Sequence, residues 1–381
     1  MKKSDKKKKV LILASVASMI GQFNMQNIQL LLEHGYKVDV ACNCREGNTV
    51  SDEQVKRLVE MLLQRNVDVI HVPIPRKITD IRGIMLSLQK VKKMCNDGQY
   101  ILLHCHSPIG SVVARIAARK SRKRNVTKVM YTAHGFHFYK GAPIKNWLIF
   151  YPIEKICARF TDVLITINKE DYEFAKTHMN IKRIEYIPGI GVDTKKFKVG
   201  NLHKRELGID NDDIMLLSVG EVNQNKNHEV VVRAIAKLKN PSIHYFIAGQ
   251  GVKEEYLKQL ADELGVSLHL LGYRTDIVKI LNTADVFVFP SFREGLSVAL
   301  MEAMAAGLPC VVSEIRGNVD LIDKNGGYLC DPYKPESFAK SIDILVQNRM
   351  QRIEMGRYNQ EAIENFDVYK VNEKMKEIYF E

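Results

Sequence analysis

At 381 residues the chain exceeds the ~250–300 at which one hydrophobic core stops growing, so two domains of about half its length each are expected. Apolar residues make up 46% and charged residues 26%, which excludes a disordered chain. The longest unbroken apolar run, residues 147–153, is far short of the ~20 residues a membrane-spanning helix needs.

Charge is uneven. Residues 1–190 carry 32 Lys and Arg against 16 Asp and Glu, a net of +16, and the rest of the chain is −4, for the total of +12. Such asymmetry points to an anionic partner for the first half (nucleic acid, a membrane surface or a phosphorylated substrate), unless it is a solvated face kept for solubility. The start, MKKSDKKKKV, is basic, but the apolar run after it breaks at Ser15 and leads into Gly21-Gln22-Phe23-Asn24 with no small-residue cleavage pattern. No signal peptide is expected. Seven scattered cysteines read as buried thiols of a reducing compartment, so the expected location is cytoplasmic.

Buried strands alternate with amphipathic helices along the chain, the pattern of an α/β protein with parallel sheets. Residues 9–14 read as a first strand, 23–34 as its helix closed by Gly35, and 37–42 as the next strand. Further short apolar runs at 100–105, 129–133 and 163–167 end in polar or glycine residues. Residues 187–193, IPGIGVD, place three turn-formers within four positions and mark an interdomain hinge. A second series follows: strand 214–219, helix 229–238, strand 244–248, helix 254–264, strand 268–271, short helix 277–282, strand 286–289 and helix 297–306, ended by Gly307 and Pro309. The expected architecture is two doubly wound, Rossmann-like domains facing across a cleft. One spans 1–190, with a final helix near 366–381 crossing back to it, and the other spans 191–365.

Open α/β sheets bind ligands beyond the carboxyl ends of their strands. The loop richest in chemistry there is Pro290-Ser291-Phe292-Arg293-Glu294-Gly295-Leu296-Ser297. Its following helix offers backbone N–H groups at Gly295, Leu296 and Ser297, an anion site. Glu294 precedes that terminus, and Glu302 lies about 7 Å along the axis beyond Ser297 at ~1.5 Å per residue. One carboxylate can accept bonds from a sugar ring and the other from a ribose, with a diphosphate between them. Taken singly, both glutamates read as solvated surface residues.

Residues 284–321, ADVFVFPSFREGLSVALMEAMAAGLPCVVSEIRGNVDL, closely resemble the donor-binding segment of the family-four glycosyltransferases of GT-B fold, whose Glu-x7-Glu motif falls on Glu294 and Glu302. The resemblance extends upstream through Leu271-Gly272-Tyr273-Arg274, the family's nucleobase loop, and Ala248-Gly249-Gln250-Gly251. It reaches residues 218–228, SVGEVNQNKNH, which hold Gly220, Glu221, Asn223 and Lys226. With the N-terminal half it covers essentially the whole chain. One departure stands out: the family commonly has Gly-Arg followed by Lys, two cations that grip the donor diphosphate. Here Glu221 takes the arginine's place while Lys226 remains, a version that resembles a polysaccharide-assembly subgroup. The resemblance then implies that Lys226 and helix N–H groups offset the diphosphate charge.

In the first half, His104-Cys105-His106-Ser107-Pro108 and Tyr131-Thr132-Ala133-His134-Gly135-Phe136-His137 both follow predicted strands. The resemblance puts His134 beside the transferring sugar, with His106 and His137 on the same acceptor side; bare histidines here are more often structural. His-Cys-His does not read as zinc, because neighbours in a strand point to opposite faces and no second ligand pair has the spacing. Asp210-Asn211-Asp212 precedes a strand, the wrong end for a metal, and reads as a turn. The first loop, residues 15–21, has a single glycine, Gly21, where many relatives have a pair, and Gly21 is a weak acceptor-side candidate. Arg115, Arg119, Lys120, Arg122, Lys123 and Arg124, with Lys90, Lys92 and Lys93, lack the interleaved aromatics of a nucleic-acid site. Beside the run 145–151, KNWLIFY, they fit a membrane surface better.

Taken together, the resemblance implies a retaining glycosyltransferase that moves a hexosyl or N-acetylhexosaminyl unit from a nucleotide donor, a UDP-sugar, to a lipid-linked saccharide in bacterial capsule or exopolysaccharide synthesis. Glu294, His134 and Lys226 are its expected catalytic residues. No cofactor, metal or nucleic acid is expected, and the protein is placed peripherally on the inner face of the plasma membrane. Two rivals are another GT-B enzyme such as a nucleotide-sugar epimerase, and a non-enzymatic basic nucleic-acid-binding protein.

Overall fold

The computed structural model describes residues 8–124, 126–198, 200 and 202–381. Two units emerge, one running to Ile187 and rejoined by Asn372–Glu381, the other Pro188–Val371.

The first unit is built from β1 (Lys9–Val16), α1 (Ala17–Phe23), α2 (Met25–Glu33), β2 (Lys37–Asn43), α3 (Asp52–Gln64), β3 (Asp68–His71), α4 (Ile81–Asp97), β4 (Tyr100–His106), α5 (Pro108–Lys123), β5 (Lys128–Ala133), α6 (Ile144–Ala158), β6 (Val163–Thr166), α7 (Lys169–His178) and β7 (Arg183–Tyr186). Its seven parallel strands lie in the order β3-β2-β1-β4-β5-β6-β7, so the winding reverses between β1 and β4. The central strand β1, KVLILASV, is buried along nearly its whole length, which is why it carries Val, Ile and Leu on both faces.

The second unit contains β8 (Ile214–Val219), α8 (His228–Leu238), β9 (Ile243–Ala248), α9 (Glu254–Leu264), β10 (Ser267–Gly272), α10 (Ile277–Thr283), β11 (Val286–Phe289), α11 (Val298–Ala305), β12 (Cys310–Ser313), α12 (Asn318–Leu321), β13 (Gly327–Cys330), α13 (Pro335–Gln347) and α14 (Arg349–Ile363). Its strands, again parallel, run β10-β9-β8-β11-β12-β13 and reverse between β8 and β11. The last helix, α15 (Val368–Phe380), starts in the second unit and ends in the first, where the Tyr379 hydroxyl meets His104 Nδ1 at 2.6 Å.

Several expectations change. The segment 15–21 is not a loop: β1 runs on to Val16 and α1 follows at once, so Gly21 lies inside a helix. A Cβ there would touch Leu58 of α3 at 3.2 Å, so the glycine allows the two helices to pack closely. The helix expected over 23–34 is divided at Asn24, which is fully buried and whose backbone N–H bonds Ile20 O. Arg115 leaves the basic surface group altogether. Only 1% of its side chain is exposed, it pairs with Glu154 at 2.8 Å, and its guanidinium lies 4.2 Å from the Tyr131 ring centre. Trp147 is likewise packed inward, within an aromatic cluster of Phe138, Tyr151 and Phe174, while Ile144, Leu148 and Ile149 stand exposed. Among the described residues no helix is long and apolar enough to cross a membrane. Asp210–Asp212 is a turn ahead of β8, tied by Asp213 N–H to the Asp210 carbonyl.

Candidate active site

In each unit the strands beside the reversal end in the polar residues that the sequence singled out, and each place is described by itself.

In the second unit, the loops after β8 and β9 are laced together by backbone bonds, Gly220 N–H to Ala248 O and Val222 N–H to Gln250 O. Glycine is required here by contact: a Cβ on Gly249 would sit 1.8 Å from the Gly220 oxygen, and one on Gly251 2.3 Å from the Val222 oxygen. A Cβ on Gly220 would press on Lys226 Cε at 3.1 Å. Lys226 is thereby laid against the backbone, its ammonium 4.6 Å from the Phe289 ring centre and 2.8 Å from Glu294 Oε1. With 19% and 15% of their side chains exposed, the two are an ion pair at the reversal point, nearly withdrawn from water.

The loops hold this pair in place. Asn223 Oδ1 accepts the Lys226 N–H, and the Asn223 amide donates to Glu221 Oε2 at 2.7 Å, so the Glu221 carboxylate is turned onto its own loop. Asn225 donates to the Arg293 carbonyl and accepts from Phe292 N–H, while the Asn227 amide bridges Pro290 O and Pro332 O. Arg316, buried, donates to the Glu294 carbonyl. Gly317 lies against Gly295, where a Cβ would come within 2.3 Å of the Gly295 oxygen. Ser297 caps α11 by accepting from Leu300 N–H, and Leu296 packs beside Gly189. Glu302 follows on α11, and burial raises its carboxyl above the usual range. Tyr273 is well exposed, whereas the Arg274 guanidinium is held by both oxygens of Asp276.

The corresponding place in the first unit is neutral. Ser15 and Ser107 share a 2.6 Å hydroxyl bond between the ends of β1 and β4. His106 Nδ1 and His134 Nε2 lie 3.0 Å apart, and the His134 ring packs on Phe23 at 4.7 Å between centres. His104 is fixed by Tyr379 and Thr132. Burial pushes these imidazoles below their ordinary value, His104 to about 3 and His134 to about 4; for His106 burial acts together with His104 and His134. All three are neutral near pH 7. His106 Nε2 is buried without a hydrogen-bond partner, an acceptor or donor held in reserve. His137 packs instead on Phe150 of α6, at 4.6 Å.

Sequence reasoning did not foresee the Lys226–Glu294 contact, because the two lie 68 positions apart. It also missed Ser15, Ser107, Tyr379 and Arg316; the only signal for any of them was the strand end that Ser15 and Ser107 mark. Among the described residues no group of three or more His, Cys, Asp or Glu is arranged to hold a metal ion.

Two family descriptions divide the chain between them: Glycosyl transferase 4-like over residues 9–168 and Glycosyl transferases group 1 over residues 201–362. The chain is 36% identical over 383 aligned residues to EpsD of Bacillus subtilis (strain 168), covering 98% of this chain and 96% of that one. It is 29% identical to the UDP-Gal:alpha-D-GlcNAc-diphosphoundecaprenol alpha-1,3-galactosyltransferase of Escherichia coli, covering 97% and 95%. Anabaena HepE, solved in complex with UDP and glucose, shares the fold with a TM-score of 0.76 at 18% identity, over 98% of this chain and 99% of that one. With two matching domains, near-complete alignment to these relatives and the Glu294–Glu302 segment in place, the chain belongs to the family-four glycosyltransferases of GT-B fold.

Proposed function

We propose that this glycosyltransferase moves a hexosyl or N-acetylhexosaminyl unit from a UDP-sugar to a lipid-diphosphate-linked saccharide in bacterial surface-polysaccharide assembly, with retention of configuration. The observation that carries the reading is the Lys226–Glu294 pair at the reversal of the second sheet, 2.8 Å apart and held by two interlocked loops. A donor diphosphate entering there would take Lys226 as its counter-ion and free Glu294 to accept hydrogen bonds from sugar hydroxyls. Glu302, Gly295, Leu296 and Ser297 would receive the ribose and phosphates, and Tyr273 the base. His134 and His106, neutral, would line the acceptor side of the first unit without adding charge beside a sugar.

By the resemblance no protein nucleophile is needed. The departing phosphate oxygen takes the acceptor proton while the acceptor attacks the same face, so the residues act by positioning and by stabilising charge on the leaving group. The named chemistry of the Escherichia coli relative supports a lipid-diphosphate acceptor, and the UDP and glucose bound by HepE support a UDP-sugar donor. A peripheral place at the inner face of the membrane is supported by exposed Ile144, Leu148, Ile149 and Ile156 on α6 and Ile81, Met85 and Leu86 on α4. An apolar cavity of about 330 Å³ lies within the same unit, lined by Ile84, Ile109, Ile116 and Ile153. No metal takes part in this scheme.

The test is incubation of the purified chain with several UDP-sugars and a polyprenyl-diphosphate saccharide, with and without excess chelator. Acceptor-dependent release of UDP that survives the chelator is expected. Release abolished by chelator and restored by Mg²⁺ would overturn the metal-free scheme, and absence of release with every donor would overturn the substrate assignment.

A further inference from the structure

The basic segment at the end of α5 has no place in the proposed transfer. Its outer members meet the amino ends of β5, β6 and β7 around a cavity of about 640 Å³, at the edge of the sheet opposite to His106 and His134. Five cations line it: Arg122, Lys123, Lys128, Lys182 and Arg183. Two carboxylates line it as well, Asp162 and Glu381, and the structure accounts for both. Asp162 Oδ1 accepts from the Arg122 guanidinium while Oδ2 accepts the Val129 N–H. Arg183 engages Glu185 at 2.8 Å and lies 3.5 Å from Glu381. Arg122 and Lys123 also have a structural reason to be where they are, since the last turn of a helix favours cations.

Lys128 and Lys182 have no such account. Lys128 is part-buried and reaches the Ile378 carbonyl at 3.4 Å, a long contact for an ammonium. Burial and then Arg183 lower its affinity for a proton most, Asp162 opposes them, and Lys182 adds a smaller lowering effect. A lysine withdrawn from water among two like charges is costly unless an anion joins it.

We propose that this cavity is a binding site for a phosphate-bearing anion, a phosphomonoester or a diphosphate, held by Lys128 and Lys182 with Arg183 beside them. The ammonium groups act as point charges, and the anion displaces the long Arg183–Glu381 contact to reach the guanidinium. The site is separate from the donor site, which lies in the other unit. Two sources share this chemistry, a soluble phosphate compound and the headgroup of an anionic phospholipid.

The experiment uses the full chain carrying Lys226→Ala, so that the proposed donor site does not compete. Calorimetry with inorganic pyrophosphate is one arm. Co-sedimentation with phosphatidylcholine vesicles with and without phosphatidic acid is the other. Lys182→Glu, at an exposed position, should weaken binding at least tenfold, the usual worth of one charge-assisted contact. Lys128→Ala should do the same, Lys182→Arg should retain binding, and Lys324→Glu with Lys340→Glu in the other unit should change it less than twofold. Saturable pyrophosphate binding with this pattern supports the site with a soluble ligand. The same pattern on phosphatidic acid vesicles alone supports it with a lipid headgroup. Binding in neither arm, or equal losses in the control pair, overturns it.

Discussion

The two reversal points are alike in topology and opposite in electrostatics. At the first, the groups gathered at the strand ends are hydroxyls and neutral imidazoles: Ser15, Ser107, His104, His106 and His134. At the second they are ions, Lys226 with Glu294, with Arg316 donating to the Glu294 carbonyl. The difference teaches what burial permits. An imidazole goes inside by releasing its proton near neutral pH, whereas a lysine and a glutamate keep their charges inside only together. The chain's excess positive charge therefore lies on the outer faces of the first unit and is absent from its reversal point.

The strongest test of this contrast is acid. The buried imidazoles bind no proton in the folded state at pH values where the unfolded chain does, so below about 6.5 the unfolded state gains protons and stability falls. The loss runs down to the folded values, about 3 to about 4, and each histidine contributes up to ~1.4 kcal/mol per pH unit. The first unit holds His104, His106 and His134, with His71 also lowered, whereas the second holds His228, lowered to about 4 by burial, and His269, also lowered. There Glu302 opposes the trend, since a raised carboxyl favours the folded state as pH falls. Carboxylates held low, such as Asp323 and Asp367, act below this window. Trp147, the chain's single tryptophan, belongs to the first unit and reports it alone. Its emission should change at a higher pH than the bulk of the far-ultraviolet circular dichroism; the reverse order would break the comparison.

Next in size is Arg115–Glu154, the buried ion pair of the first unit. Glu154→Ala leaves a guanidinium that is 1% exposed without its carboxylate, and should cost about 3–5 kcal/mol in urea titrations followed by Trp147. A loss under 1 kcal/mol would mean that water enters to solvate Arg115.

How these features were read from the sequence differs between the units in the same way. Central strands such as β1 and β8 were legible because burial on both faces gives continuous apolar runs, and the switch-point logic pointed to their carboxyl ends. Residues 43–99 gave no such reading. The edge strand β3, DVIH, is only partly buried and opens with an aspartate, and α3 and α4 are amphipathic helices on the surface. Glu294 and Glu302 were legible through a motif. The contacts between distant residues were not, since Lys226–Glu294 and His104–Tyr379 span 68 and 275 positions and depend on loop closure, which local pattern does not encode.

The ionic pair of the second unit makes two linked predictions. Glu294→Gln keeps an oxygen for Lys226 and loses the charge that strengthens a hydrogen bond to sugar hydroxyls, so transfer should fall ~10- to 100-fold, with a smaller loss of stability than Glu154→Ala. Lys226→Ala should lower kcat more than it weakens UDP binding, because the leaving group gains charge as the bond breaks. In the donor complex the diphosphate separates the two residues, so their losses in kcat should multiply in the double variant. A double variant no slower than the worse single one would show that the 2.8 Å contact persists through turnover.

The smallest effect concerns Glu221, where the family commonly carries arginine. Its carboxylate accepts from the Asn223 amide, and Asn223 accepts the Lys226 N–H, so the glutamate reaches the ionic pair only through the loop that shapes it. An arginine at this position offers no acceptor to Asn223. Whatever attraction it has for a diphosphate is set against a loosened Lys226 loop at an exposed site, where a single charge is screened. Glu221→Arg should therefore bind UDP no more tightly than the parent in calorimetry, with a change of roughly threefold at most in the weaker direction. Glu221→Gln, which keeps an acceptor for Asn223, should match the parent. Tighter UDP binding by Glu221→Arg would show that the glutamate merely occupies an arginine's place, and would leave the ionic pair of the second unit short of a cation rather than complete.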